Sequence, residues 1–262
     1  MTDACLSLRG VSLRYGTAPA LDDVSLVVGR GERVALLGPS GAGKSSLMSV
    51  ANTSLRPSAG TVSVFGRPLA ALSAPERREL RRRLGVVDQR PALPGALRVV
   101  HNVNAGRLGQ WSTRRALWSL LRPREVDEAR RALDLLGIGD KLWRRTDELS
   151  GGERQRVALA RLLLQGAELV LADEPVANLD PARADEVLAL LCARPEHDGD
   201  GDGGDVRPVF GTVVVSIHDV GLALGYFDRV LGLRHGRLLF DLPASEVTAS
   251  MADRLYDLAT DR

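Results

Sequence analysis

A chain of 262 residues that is 44% hydrophobic and 26% charged, with a formal net charge of +2, has the make-up of a globular protein with one large domain or a core plus a subdomain. So small a charge makes no case for nucleic acid, and no apolar run approaches the roughly 18–20 residues that cross a bilayer. The opening MTDACLSLRG lacks the regions of a signal peptide, and Cys5 and Cys192 have no metal-ligand spacing, so a reducing cytosol is expected.

In chain order, Leu6–Leu13 and Val24–Val28 alternate as half-buried antiparallel strands do, and Glu32–Leu37 reads as a short buried strand. Gly38-Pro39-Ser40-Gly41-Ala42-Gly43-Lys44-Ser45 follows, fitting G-x-x-x-x-G-K-S, and Ser45–Ala51 opens a helix. Glycines let backbone N–H groups close on a polyphosphate, and the helix N-terminus adds partial positive charge. Lys44 supplies a mobile full charge and Ser45 a hydroxyl for Mg²⁺. Of 35 lysines and arginines only Lys44 and Lys141 are lysine, so a compact ammonium stands where a planar guanidinium would not fit.

Thr61–Phe65 predicts a further antiparallel strand. Leu84–Val87, Leu169–Ala172 and Thr212–Ile217 are continuous apolar runs, as in strands buried on both faces of an α/β sheet. From about Arg90 to Leu149 the strand signal disappears. Within that stretch Val126, Ala129, Leu133 and Leu136 share one helical face, which predicts a helical subdomain over 90–149. Ser245–Ala259 predicts a last helix, with Val247, Met251, Leu255 and Leu258 in phase and no room for a further domain beyond it. The expected architecture is α/β: a P-loop NTPase core of mixed sheet flanked by helices, an antiparallel β subdomain and the inserted helices, in one domain over 1–262.

Leu169–Ala172 runs into Asp173 and Glu174, and unpaired acids do not end a buried strand for packing reasons. Asp173 suits Mg²⁺, and Glu174 is placed to polarise a water in line with a γ-phosphate. Leu149-Ser150-Gly151-Gly152-Glu153 directly precedes the helix predicted over Arg154–Gln165. Ser150 and Glu153 read as a capping box, while Gly151 and Gly152 at a helix start also make an anion site. Two phosphate sites for one nucleotide point to a head-to-tail homodimer, each chain covering the nucleotide held by the other.

LSGGE between a P-loop and a strand ending Asp-Glu resembles the ATP-binding subunit of ABC transporters. The resemblance implies that Tyr15 stacks on adenine and that the nucleotide run extends through Ser46. It further implies that Gln89 couples the Mg²⁺ site to the helical subdomain, that Asn178-Leu179-Asp180 crosses the dimer interface, and that His218 contacts the γ-phosphate. ATP, Mg²⁺, a homodimer and integral membrane permease subunits are implied with it. So are an extracellular solute-binding protein acting through the permease, and a place on the cytoplasmic face of the membrane.

Asn102–Gly109 (NVNAGRLG) resembles the N-V-x-x-G-R-L-G stretch of the phosphonate-importer branch, and Ser112–Pro123, Val215–Val220 and Gly232–Arg237 are similar to its neighbouring segments. None of these residues would touch an imported solute, so the solute is an association by resemblance. Asp88 stands where the family has an apolar or aromatic residue, and His101 where it has an acid or polar one. Both lie where the permease is expected, the helical subdomain around Gln89–Gly109 together with the basic Arg114–Arg124 stretch. Two other roles stay open, an ATPase subunit of a soluble phosphonate-degrading complex and an ATPase of lipoprotein or lipid export. The acidic glycine stretch over 195–209 predicts a flexible solvated loop; its likeness to a D-x-D-x-D-G calcium loop fails at Val209, where the twelfth position requires Glu.

Overall fold

Residues 4–177, 179–194 and 210–257 are described by a computed structural model. Asn178, the acidic stretch 195–209 and the predicted end of the last helix at 258–259 lie outside them. The elements in chain order are β1 (Ala4–Tyr15), β2 (Ala18–Gly29), β3 (Arg33–Leu37), α1 (Lys44–Ala51), β4 (Ala59–Val64), β5 (Arg67–Pro68), α2 (Ala74–Arg83), β6 (Leu84–Val87), α3 (Val99–Asn104), α4 (Thr113–Leu121), α5 (Val126–Asp134), α6 (Gly151–Gln165), β7 (Leu169–Asp173), α7 (Pro181–Leu191), β8 (Thr212–Ser216), α8 (Val220–Tyr226), β9 (Arg229–Arg234), β10 (Arg237–Pro243) and α9 (Ala249–Tyr256).

Among the described residues these strands make two sheets. One is antiparallel, in the order β2-β1-β4-β5; the other is mixed, in the order β10-β9-β3-β8-β7-β6. In the mixed sheet β9, β3, β8, β7 and β6 run parallel, and β10 closes one edge antiparallel to β9. The period-2 pleat divides each central strand between two cores. Ala35, Leu37, Val170, Ala172, Val213 and Val215 join the core built with α5, α6 and α7. Val34, Leu36, Leu169, Leu171 and Val214 join a second core with α1 and the antiparallel sheet. The continuous apolar runs in the sequence follow from this burial on both faces.

Between β6 and β7 the described residues form helices and no named strand. Of the anticipated stripe, Ala129 and Leu133 are at 0% exposure in α5, Leu136 is buried just past its end, and Val126 is half-buried. Gly106 explains part of the NVNAGRLG pattern: a Cβ there would lie 2.3 Å from the Arg161 carbonyl oxygen, so the turn after α3 meets the α6 backbone directly.

The helices differ from expectation in three places. Helix α6 begins at Gly151 rather than Arg154, because Ser150 caps it and draws both glycines into the first turn. Helix α9 begins at Ala249 under a Thr248 cap, and Ala244–Glu246 forms a separate 3-10 turn. Helix α2 was not anticipated, although Ser73 and Glu76 form a capping box around Pro75, a legible start signal.

Candidate functional site

The strand-to-helix turn at 38–43 rises from the C-terminal end of β3 into α1. Gly43 sits at φ +104, and a Cβ there would lie 2.4 Å from the Ala20 carbonyl oxygen, so only glycine fits. The turn between β9 and β10 supports the loop from below: Gly236 N–H donates to the Ala42 carbonyl (2.9 Å) and Asp22 N–H to the Gly236 carbonyl (2.9 Å). Lys44 is buried, and its ammonium donates to the carbonyls of Gly38 (2.6 Å) and Pro39 (3.1 Å). A third N–H remains for a phosphate oxygen. Burial pushes the Lys44 pKa below its ordinary value, while the charges of Glu174 and Asp173 oppose that shift. Ser45 is exposed; Ser46 is half-buried, with its hydroxyl 3.5 Å from that of Tyr15. Tyr15 leaves 55% of its surface exposed beside the loop.

Strands β6, β7 and β8 are parallel neighbours, and their C-terminal ends deliver the next residues to the same edge. Glu174, just past β7, accepts from Gln89 Nε2 at Oε2 (2.7 Å) and meets His218 Nε2 at Oε1. Its carboxylate is largely buried, and each oxygen keeps a second lone pair. Asp173 is oriented by Ser216, whose buried hydroxyl donates to Oδ1 (2.5 Å) and accepts from the Glu174 N–H (3.0 Å). The donor set of Ser45, Gln89 and Asp173 is all oxygen once Gln89 presents its carbonyl, the chemistry of a hard cation that keeps water and phosphate ligands.

Ser150, Gly152 and Asp180 form a separate corner. Together with Lys141 and Arg183 they line a cleft of about 530 Å³. Ser150 accepts from Glu153 N–H (3.2 Å), and Glu153 returns the bond to Ser150 N–H (2.8 Å). That backbone bond holds the Glu153 carboxyl below its usual range. Asp180 caps α7 by accepting from Arg183 N–H (3.1 Å). Among the described residues no hydrogen bond or ion pair joins this corner to residues 38–46. Gly151 is exposed at the start of α6.

Sequence reasoning overlooked two side chains here. Ser216 fixes the Asp173 carboxylate and the Glu174 backbone, and its only sequence signal is a polar residue at the end of an apolar run. Tyr256 of α9 donates from its hydroxyl to the His218 carbonyl (3.1 Å) and also neighbours the Gly38 backbone. No local pattern marks it.

A glycine loop between strand and helix, a buried lysine at the helix start and paired acids at the end of a parallel strand two places along the same sheet define a P-loop nucleotide-binding protein. The chain belongs to the ABC transporter family, whose model matches residues 21–177. It is 48% identical over 255 residues to the phosphonates import ATP-binding protein PhnC of Pseudomonas putida, covering 97% of this chain and 91% of that protein. It is 50% identical over 252 residues to PhnC 1 of Pseudomonas aeruginosa, covering 96% and 90%. Among solved structures it is similar to the dimeric bacterial ABC transporter cassette MJ0796, with TM-score 0.74, 25% identity and coverage of 91% and 98%. The dimeric post-hydrolysis form of that cassette, bound to ADP and Pi, matches with TM-score 0.72 and 26% identity, covering 91% of this chain and 98% of that one.

Proposed function

We propose that this chain is the ATP-hydrolysing subunit of a phosphonate importer, working on the cytoplasmic face of the membrane with a separate permease. The observation that carries the hydrolytic part is the Glu174 carboxylate held between Gln89 and His218. The residues 38–46 bind the triphosphate, Tyr15 offers its exposed ring to the base, and Lys44 donates to phosphate oxygens. Ser45, Gln89 and Asp173 would hold Mg²⁺, which neutralises phosphate charge when bound. Glu174 orients the attacking water and takes its proton, and His218 steadies the γ-phosphate.

The detached corner of Ser150, Gly151, Gly152 and Asp180 is read as the lid for a second copy's nucleotide. The dimeric state of the MJ0796 cassette supports that reading. Permease docking is assigned to the cleft of about 500 Å³ between α2 and α6, lined by Arg82, Asp88, Gly106 and Arg161. Asp88 therefore sits in the contact, opposing the drop that burial imposes on the Arg161 pKa. The solute is taken from the relatives' names, at 48–50% identity over nearly the whole chain.

The test is ATP turnover in vesicles holding the cognate permease. A binding protein loaded with an alkylphosphonate should stimulate it and an empty one should not. Stimulation by phosphate, an amino acid or a lipid instead removes the solute and leaves the transporter. Co-purification with soluble phosphonate-degrading enzymes and no permease removes both.

A further inference from the structure

We propose that helix α4 docks on the headgroup region of an anionic lipid bilayer, so that this chain touches the membrane directly and not only through a permease. The helix is inside out. Its buried side is Ser119, at 5% exposure, whose hydroxyl is satisfied by donating to the Ala116 carbonyl (2.7 Å). Its large apolar residues point to solvent, with Leu117 and Trp118 at 62% and Leu121 at 82% exposure. Leu117 and Leu121 are one turn apart, so with Trp118 between them they form one continuous ridge. A folded chain does not leave such a ridge in water without something to cover it.

Charge selects the occupant. From Leu108 to Arg124 the sequence has four arginines and no Asp or Glu. Arg115 is drawn back over the Trp111 ring and to Glu125. Arg114, Arg122 and Arg124 are exposed, and no ion pair among the described residues engages them. They flank the ridge at both ends, where stems can lie along the apolar face and guanidinium groups can reach phosphates. Tryptophan among leucines with flanking arginines is the composition of an interfacial helix.

The test uses the purified full chain without a permease, floated with vesicles of phosphatidylcholine alone or mixed with phosphatidylglycerol. The chain should float with the mixed vesicles at low salt, release at high salt, and bind phosphatidylcholine weakly. Trp118→Ser combined with Leu121→Ser should lower partitioning at least about tenfold, with basal ATP turnover and melting temperature unchanged. Arg114→Gln with Arg122→Gln should erase the preference for anionic vesicles. A wild type that ignores anionic vesicles at low salt, or a double-serine variant that floats like wild type, overturns the proposal. If the serine pair removes only the response to permease, or only self-association, the ridge covers a protein and the lipid assignment falls. None of these readouts depends on the solute.

Discussion

The Gln89 side-chain amide donates to Glu174 Oε2 across 2.7 Å, a contact between residues 85 apart in sequence. It forms because β6 and β7 are parallel neighbours in the register Val87↔Ala172, so the residues just past each strand meet at one edge. Gln89 leads into the helices between these strands, and Glu174 faces the phosphate loop. One hydrogen bond therefore joins the carboxylate proposed to act in hydrolysis to the segment where a permease would bind.

Glu174→Gln should keep ATP affinity while phosphate release falls at least about 100-fold, because the water loses its base. With hydrolysis blocked, ATP should hold two copies together in gel filtration. Adding Ser150→Arg should return the variant to monomer, since an arginine in that corner obstructs the facing phosphate. Turnover at the wild-type level rules out the role of Glu174, and a persistent dimer rules out that of Ser150.

Lys44 is placed for binding at a cost to the empty fold. Burial lowers its pKa from 10.5, so the unfolded chain holds this proton more tightly than the folded one. Stability lost to the charged lysine at neutral pH is recovered as pH rises through the interval ending at 10.5. Lys44→Met should therefore melt no lower than wild type near neutrality, and wild type should gain on it toward about pH 10. ATP affinity should fall at least about 100-fold. Calorimetry across that range and nucleotide titration check both; a variant that melts well below wild type at neutral pH contradicts the assignment of strain to Lys44.

Tyr256→Phe removes only the hydroxyl that donates to the His218 carbonyl. The expected loss is about 1 kcal/mol in stability and about 3- to 10-fold in kcat, with KM for ATP little changed. Identical steady-state kinetics would show that α9 does not position His218.

Arg33 is buried and donates to the carbonyls of Ala193 (2.9 Å), Phe210 (2.8 Å), Gly211 (2.8 Å) and Gly31 (3.2 Å). It thus ties together the two ends of the chain that flank the acidic stretch. Replacing 196–205 with a short Gly-Ser linker should leave ATP turnover within about twofold of wild type. Arg33→Met should instead destabilise by about 2–4 kcal/mol, because one buried and three part-buried hydrogen bonds to carbonyls are lost. Thermal melting separates the two variants; a linker variant as unstable as Arg33→Met, or a calcium-dependent shift in the wild type, contradicts the expectation of a solvated loop over 195–209.

What the sequence determined by itself is local. The glycine loop, the apolar strands ending at Val87 and Asp173, the stripe of α5 and the capping pair at Ser150 and Glu153 depend on residues a few positions apart, and backbone sterics or periodicity read them directly. The same signals placed Lys44 between a strand and the helix that follows it, and Asp173 and Glu174 at a strand end. Only the tertiary structure decided which ends meet. Strand order brings Gln89 and His218 to one carboxylate, sets Ser216 beneath Asp173, and carries Tyr256 to His218 across 38 residues. It also puts Ser150 and Asp180 in a corner of their own, and turns Leu117, Trp118 and Leu121 of α4 outward. Period and composition give a helix its faces, but which face is buried depends on what the rest of the chain packs against it.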